Sequence, residues 1–127
     1  MAVVLCTGVD QALMQTRRLI LESAGHTVID ARDEREVLAA CNERGFDVAV
    51  LGQAVSSRVK RHIAAVIRQH CPSAKVLEMY GLHEGRAVPD ADDWLEGLPQ
   101  SPGELPVRVE RLLVQEQSSK AKASGQK

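Results

Sequence analysis

Few residues of this chain have the type and spacing to do chemistry. His26, His62, His70 and His83 lack metal-ligand spacing, and His62 and His70, within one expected helix, should face solvent. Cys6, Cys41 and Cys71 form an odd set without C-x-x-C spacing, which argues against a disulfide framework and against structural zinc. Reduced, mostly buried thiols are expected. Position suggests no Ser/His/Asp or Cys/His nucleophile pairing. Cys6-Thr7-Gly8-Val9-Asp10 follows an apolar run and could hold an anion at a helix N-terminus, but it matches neither G-x-G-x-x-G nor G-x-x-x-x-G-K-S/T. The most informative position is an absence. Phe46 to Gln53 is a short apolar run with turn residues on both sides, the pattern of a central parallel strand, and its last step presents Gly52 where a reactive side chain would stand.

The elements that must position these residues alternate between strand and helix. Ala2 to Thr7 is a continuous apolar run of strand length, the mark of a strand covered on both faces, and Gly8 breaks it. A helix is expected from Asp10 as N-cap to Gly25 as stop, with Leu13, Thr16, Ile20, Leu21 and Ala24 inward and Arg17, Arg18 and Glu22 outward. His26 to Asp30 reads as a partly polar strand near a sheet edge. Asp33-x-x-Glu36 resembles a capping box and opens a helix with Val37, Leu38 and Cys41 inward, stopped by Gly45. Ser56 or Ser57 can cap a third helix with the stripe Val59, Ile63, Val66 and Ile67, ending before Pro72.

Lys75 to Tyr80 is the fourth strand, after which Gly81, Gly85 and Pro89 predict a loop or one irregular turn instead of a regular helix. Trp94-Leu95 is a short fifth strand. Ser101-Pro102-Gly103-Glu104 reads as a cap, a Pro at the first helical position and the Glu of a capping box, although Pro106 moves the expected start toward Leu105. Leu105, Val109, Leu112 and Leu113 form the stripe of this last helix. Residues 1–114 then make one domain, and 115–127, polar and without a stripe, predict a disordered tail.

The 127 residues, 44% apolar, suit a single core. A net charge of -1 and a pI near 6.4 argue against a general electrostatic binder of nucleic acid or membrane. No apolar run approaches the roughly 18 residues of a membrane span, and Val3-Val4-Leu5-Cys6 starts the chain without a basic n-region or cleavage signal, so a cytoplasmic protein is expected. Charge is unevenly placed. Val48 to Leu77 holds five basic residues (Arg58, Lys60, Arg61, Arg68, Lys75) and no acid, whereas Gly81 to Glu104 holds six acids (Glu84, Asp90, Asp92, Asp93, Glu96, Glu104) against Arg86. A basic flank and an acidic flank are expected, read as solvated faces, as a means of weak head-to-tail self-association, or as a dock for a charged protein partner. The basic stripe lacks interleaved aromatics, which speaks against nucleic acid. Alternating strands and helices imply parallel crossovers with helices on both faces, and place function at the carboxyl ends of strands 1, 3, 4 and 5.

The order of these elements, with Arg17-Arg18-Leu19-Ile20-Leu21-Glu22-Ser23-Ala24-Gly25-His26-Thr27-Val28, Ala31 to Leu38, Phe46 to Leu51 and Ala91-Asp92-Asp93-Trp94-Leu95, resembles the receiver domain of bacterial response regulators, the CheY-like family, from about Val3 to Val114. The resemblance implies an α/β flavodoxin-like, doubly wound five-stranded parallel sheet of order 2-1-3-4-5, with the fourth helix shortened or irregular. Active members carry a phosphoacceptor Asp ending strand 3, two Mg²⁺-binding acids after strand 1, a Thr or Ser ending strand 4 and a Lys ending strand 5. On this chain the acceptor position falls on Gly52, the metal acids on Gly8 and Val9 with Asp10 adjacent, the hydroxyl on Tyr80, the switch aromatic on Trp94 and the Lys-Pro step on Gly97 and Leu98.

Asp10 alone is a thin Mg²⁺ site and is better placed as an N-cap. Asp47 lies roughly 16 Å from Gly52, at about 3.3 Å per residue, at the other end of its strand. Trp94 is expected to pack at a surface groove, with a retained switch as the alternative, and Tyr80 to fill the volume left by the missing acids. The resemblance therefore implies a degenerate, stand-alone receiver with no catalysis, metal or cofactor, acting by phosphorylation-independent contacts with a protein: a kinase, an output domain or a second copy. A small anion or metabolite sensor using the vacated pocket, or an unrecognised flavodoxin-like enzyme, are the alternatives.

Overall fold

The computed structural model describes residues 2–52, 55–81, 84–96 and 103–125, with the last eleven as backbone only. Its elements run β1 (Val3–Thr7), α1 (Gln11–Ser23), β2 (Thr27–Ala31), α2 (Glu34–Glu43), β3 (Val48–Leu51), α3 (Ser57–His70), β4 (Lys75–Tyr80), β5 (Asp93–Glu96) and α4 (Glu104–Gly125). The five strands form one parallel sheet of order β2-β1-β3-β4-β5, so the chain crosses over β1 between β2 and β3. This is the doubly wound flavodoxin-like arrangement, with β2 at an edge as its polar residues imply.

The central strands β1 and β3 are apolar on both sides because each side meets a helix layer. Along β3, Ala49 and Leu51 join the cluster under α2 and α3, with Val37, Ala40, Ile63 and Ile67, while Val48 and Val50 join the cluster under α1 and α4, with Leu21, Val109 and Leu112. Local signals set the helix ends. The Asp10 carboxylate accepts from Leu13 N–H at 3.1 Å, Asp33 from Glu36 N–H at 2.9 Å and Ser56 Oγ from Val59 N–H at 3.3 Å, while Glu36 accepts from Arg32 N–H at 2.6 Å. Gly25 and Gly45, at φ 94° and 71°, end α1 and α2 in the left-handed conformation that other residues resist. Asp47 sits at the amino end of β3, where it accepts from Val3 N–H at 2.9 Å.

Three expectations change. The buried line of α1 is Met14, Arg17 and Leu21, with Thr16 and Ala24 exposed, so the helix is turned by one residue, about 100°, from the expected face. The strand assigned to His26–Asp30 runs Thr27–Ala31. The helix from Glu104 continues to Gly125, past Val114, where a tail was expected; Gln, Glu, Lys and Ala are good helix formers. Starting at Glu104 keeps Pro106 within the first turn, where its missing N–H has no intrahelical partner to lose.

Between β4 and β5 the described residues form turns and no helix. That connection is held by side chains. Glu78 accepts from Ala87 and Val88 N–H at 2.7 and 2.9 Å, and Arg68 binds the Asp90 carbonyl at 2.8 Å and the Asp92 carboxylate at 3.3 Å. The two charge flanks thus partly meet inside one molecule. Lys60 and Arg68 of the basic stretch are paired with acids that follow it, and Arg108 pairs with Asp93 and Glu104, both at 3.1 Å.

Candidate functional site

β1 and β3 end side by side, with Thr7 opposite Leu51, and the chain leaves them at Gly8 and Gly52, where Gly52 N–H donates to the Thr7 carbonyl at 3.0 Å. A Cβ at position 52 would lie 2.5 Å from that carbonyl oxygen, 2.9 Å from an Arg17 guanidinium nitrogen and 3.4 Å from Gly8 Cα. Glycine is required here by close approach. At position 8 a Cβ would meet Met14 Cγ at 3.2 Å and the same arginine at 3.9 Å. The space over the carboxyl ends of the two central strands is therefore entered from α1, by Met14 and Arg17.

Arg17 is 6% exposed. Among the described residues no carboxylate lies within ion-pair distance of its guanidinium. Burial lowers its pKa below the ordinary arginine value, and the neighbouring Cys6 and Asp10 offset this only in part. Two further groups at the ends of these strands are withdrawn from water. Among the described residues the buried Thr7 hydroxyl has no hydrogen-bond partner, and burial pushes the Cys6 thiol up to about 12.

This arrangement does not fit a Mg²⁺ ion. The metal needs an octahedral shell of oxygens, whereas Gly8 brings no carboxylate, Val9 is 66% exposed and apolar, Asp10 is committed to capping α1, and a cation already sits beside Gly52. Among the described residues no group of three or more His, Cys, Asp or Glu could hold a metal.

Tyr80 and Trp94 do come together, through a residue the sequence reading passed over. The Arg86 guanidinium lies 4.6 Å from the Trp94 ring centroid and 5.5 Å from that of Tyr80, and Trp94 Nε1–H donates to the Val88 carbonyl at 3.0 Å. Trp94 is thus fixed against the β4–β5 connection. Gly97 and Leu98 lie outside the described residues.

Reading the sequence also missed Lys60 and Glu78. Lys60 Nζ, 3% exposed, binds Glu78 at 3.1 Å and the Met79 carbonyl at 2.6 Å, and Glu78 is fully buried. The available signal was Glu78 itself, a lone acid inside the apolar run of β4. His26 is likewise buried: Nδ1 accepts from Ala2 N–H at 3.3 Å, and Nε2 lies 3.0 Å from a Glu110 oxygen without hydrogen-bond alignment. His62 and His70 are exposed as expected, and His83 lies outside the described residues. A cleft of about 390 Å³ lies between α1 and the start of α2, but its Arg18–Asp30 and Arg32–Glu36 pairs neutralise one another.

No protein-family model matches the sequence, and no curated protein does. Solved structures do match. A CheY-like response regulator receiver domain protein from Methanospirillum hungatei is 19% identical with a TM-score of 0.81, over 94% of this chain and 98% of that one. The chemotaxis response regulator CheY4 of Vibrio cholerae is 26% identical with a TM-score of 0.72, over 88% of this chain and 98% of that one. NtrX from Brucella abortus, solved in complex with ADP, is 20% identical with a TM-score of 0.83, over 97% of this chain but 28% of its own. The chain has the CheY-like fold of response regulator receiver domains. No helix among the described residues is long and apolar enough to cross a membrane.

Proposed function

We propose that the chain is a degenerate receiver of two-component signalling, a cytoplasmic, non-catalytic module of residues 1–114 with an appended 115–127 segment, that acts through phosphorylation-independent protein contacts. The receiver-domain neighbours support a signalling module. The observation that carries the finer reading is Arg17: a guanidinium beside Gly52 occupies the place that the resemblance gives to a carboxylate and its metal. Phosphoryl transfer to an aspartate needs a nucleophile and cations on the transferred group. Here the nucleophile is missing, and the built-in cation is packed against the strand ends.

The partner, a kinase, an output domain or a second copy, is proposed to dock on the face of β4, β5, the connection 81–89 and α4; nucleic acid and membranes are not proposed partners. Incubation with a small-molecule phosphodonor and Mg²⁺ followed by intact mass should show no labile phosphate adduct, and an adduct would sink the proposal. Elution as an unchanged monomer at low and high salt would remove the second copy from the partners.

One observation favours a second reading, a small oxyanion at the same place: among the described residues the buried Arg17 guanidinium has no carboxylate within ion-pair distance and the Thr7 hydroxyl no partner. An anion that binds the folded form raises stability as RT ln(1 + [L]/Kd). A thermal shift that rises with inorganic phosphate in wild type and vanishes in Arg17→Met would favour this reading; the protein-contact reading expects no shift.

A further inference from the structure

Cys41 and Cys71 meet across two helices, on the opposite side of the sheet from Cys6. Cys41 stands in the last turn of α2 and Cys71 caps the C-terminus of α3. Both are half-buried and pack against the same apolar cluster. The Cys41 and Cys71 side chains lie within interaction range of one another. Independently, the Cys71 sulfur reaches to 3.9 Å from the point where a Cβ at Gly45 would stand, just past the end of α2. Glycine at position 45 keeps that side of the sulfur clear.

We infer that Cys41 and Cys71 form a dithiol site that closes reversibly to an intramolecular disulfide between the C-terminal ends of α2 and α3, with a low-molecular-weight disulfide as the oxidant. One of the two thiols loses its proton to solvent and attacks one sulfur of the oxidant, forming a mixed disulfide and releasing one thiolate. The other thiol then gives up its proton and attacks the protein sulfur of that mixed disulfide, displacing the second thiolate. The two protein thiols lose two electrons and two protons, and the oxidant is reduced to two thiols.

The surroundings set the pace. Both sulfurs sit at helix C-termini, where the macrodipole disfavours a thiolate, and burial, with the neighbouring Cys71, pushes the Cys41 thiol up to about 12. Exchange runs through thiolates, so closure is slow. The same penalty gives the reduced state little stabilisation by ionisation, so the bond once formed resists reduction. The site therefore records prolonged oxidation instead of tracking brief changes.

The test uses the full chain, reduced, freed of reductant and incubated with oxidised glutathione, then unfolded and alkylated. Of the three cysteines, one should take label, Cys6, and the peptides holding Cys41 and Cys71 should be recovered joined; dithiothreitol should restore all three labels. Cys6→Ser should keep the cross-link, and Cys71→Ser should abolish it, with Cys41→Ser as the second single variant should the first fold poorly. Three labelled thiols after oxidation, glutathione retained on Cys41 or Cys71 without closure, or a cross-link involving Cys6 would each overturn the inference.

Discussion

Replacing Gly52 separates packing from chemistry at the candidate site. A Cβ there would stand 2.5 Å from the Thr7 carbonyl oxygen, a backbone atom in the most buried part of the sheet, and 2.9 Å from the Arg17 guanidinium. Relief requires the ends of β1 and β3 to part, which weakens the 3.0 Å bond from Gly52 N–H to Thr7 O. Overpacking of a buried site costs about 1–3 kcal/mol and a lost hydrogen bond about 1 kcal/mol, so Gly52→Ala should lose about 2–4 kcal/mol. Urea denaturation reads this as a lower midpoint at constant slope, and melting should fall by roughly 3–6 °C per kcal/mol for a chain of this size.

Gly52→Asn and Gly52→Asp share that clash, but only the carboxylate can pair with Arg17. A hydrogen bond to a charged group contributes about 1.5–3 kcal/mol, so the Asp variant should be the more stable of the two by about that amount. Its carboxylate is then engaged by a guanidinium and not by a metal, and the phosphodonor assay should still find no adduct. Gly52→Ala as stable as wild type would refute the close packing. Asp no better than Asn would refute the placement of Arg17, and a phosphorylated Asp variant in Mg²⁺ would refute the loss of the remaining site.

Three further outcomes test the buried groups. Arg17→Met removes a desolvated charge while keeping an apolar stem, so stability should stay within about 1 kcal/mol of wild type or rise; a loss above about 2 kcal/mol would mean that the guanidinium has a strong partner. Lys60→Met leaves Glu78 buried without its cation and should cost about 3–5 kcal/mol, with Lys60→Met/Glu78→Gln costing less than the single change; additive losses in a double-mutant cycle would contradict the pairing. Burial raises Cys6 from 9.0 to about 12, so the folded chain holds this proton more tightly than the unfolded one. Its contribution is complete below about pH 9 and is lost as pH rises toward 12. Wild type should therefore lose about 2 kcal/mol relative to Cys6→Ala by about pH 10.5, at about 1.4 kcal/mol per unit, and parallel curves for the two proteins would refute the shift.

The sequence by itself determined the order of the elements. Apolar runs of strand length must be covered on both faces, and Asp10, Asp33 and Ser56 open helices where Gly25, Gly45 and Pro72 help to close them. It also determined what Gly8, Val9 and Gly52 lack, because a missing carboxylate is visible without coordinates. What fills the space beside them was decided by the tertiary structure. Counting apolar residues put Arg17 on the outer face of α1, but a long side chain can lie inward where two glycines, distant in sequence, leave room at adjacent strand ends. Met14, Arg17 and Leu21, at i, i+3 and i+7, carried that alternative in the pattern. The Lys60–Glu78 pair, the Arg86 clamp on Trp94 and the meeting of Cys41 with Cys71 follow from which helix faces which strand, a relation that local periodicity does not contain. Gly52 is a packing position in its own right. It stands where a backbone oxygen and a guanidinium leave no space for a side chain.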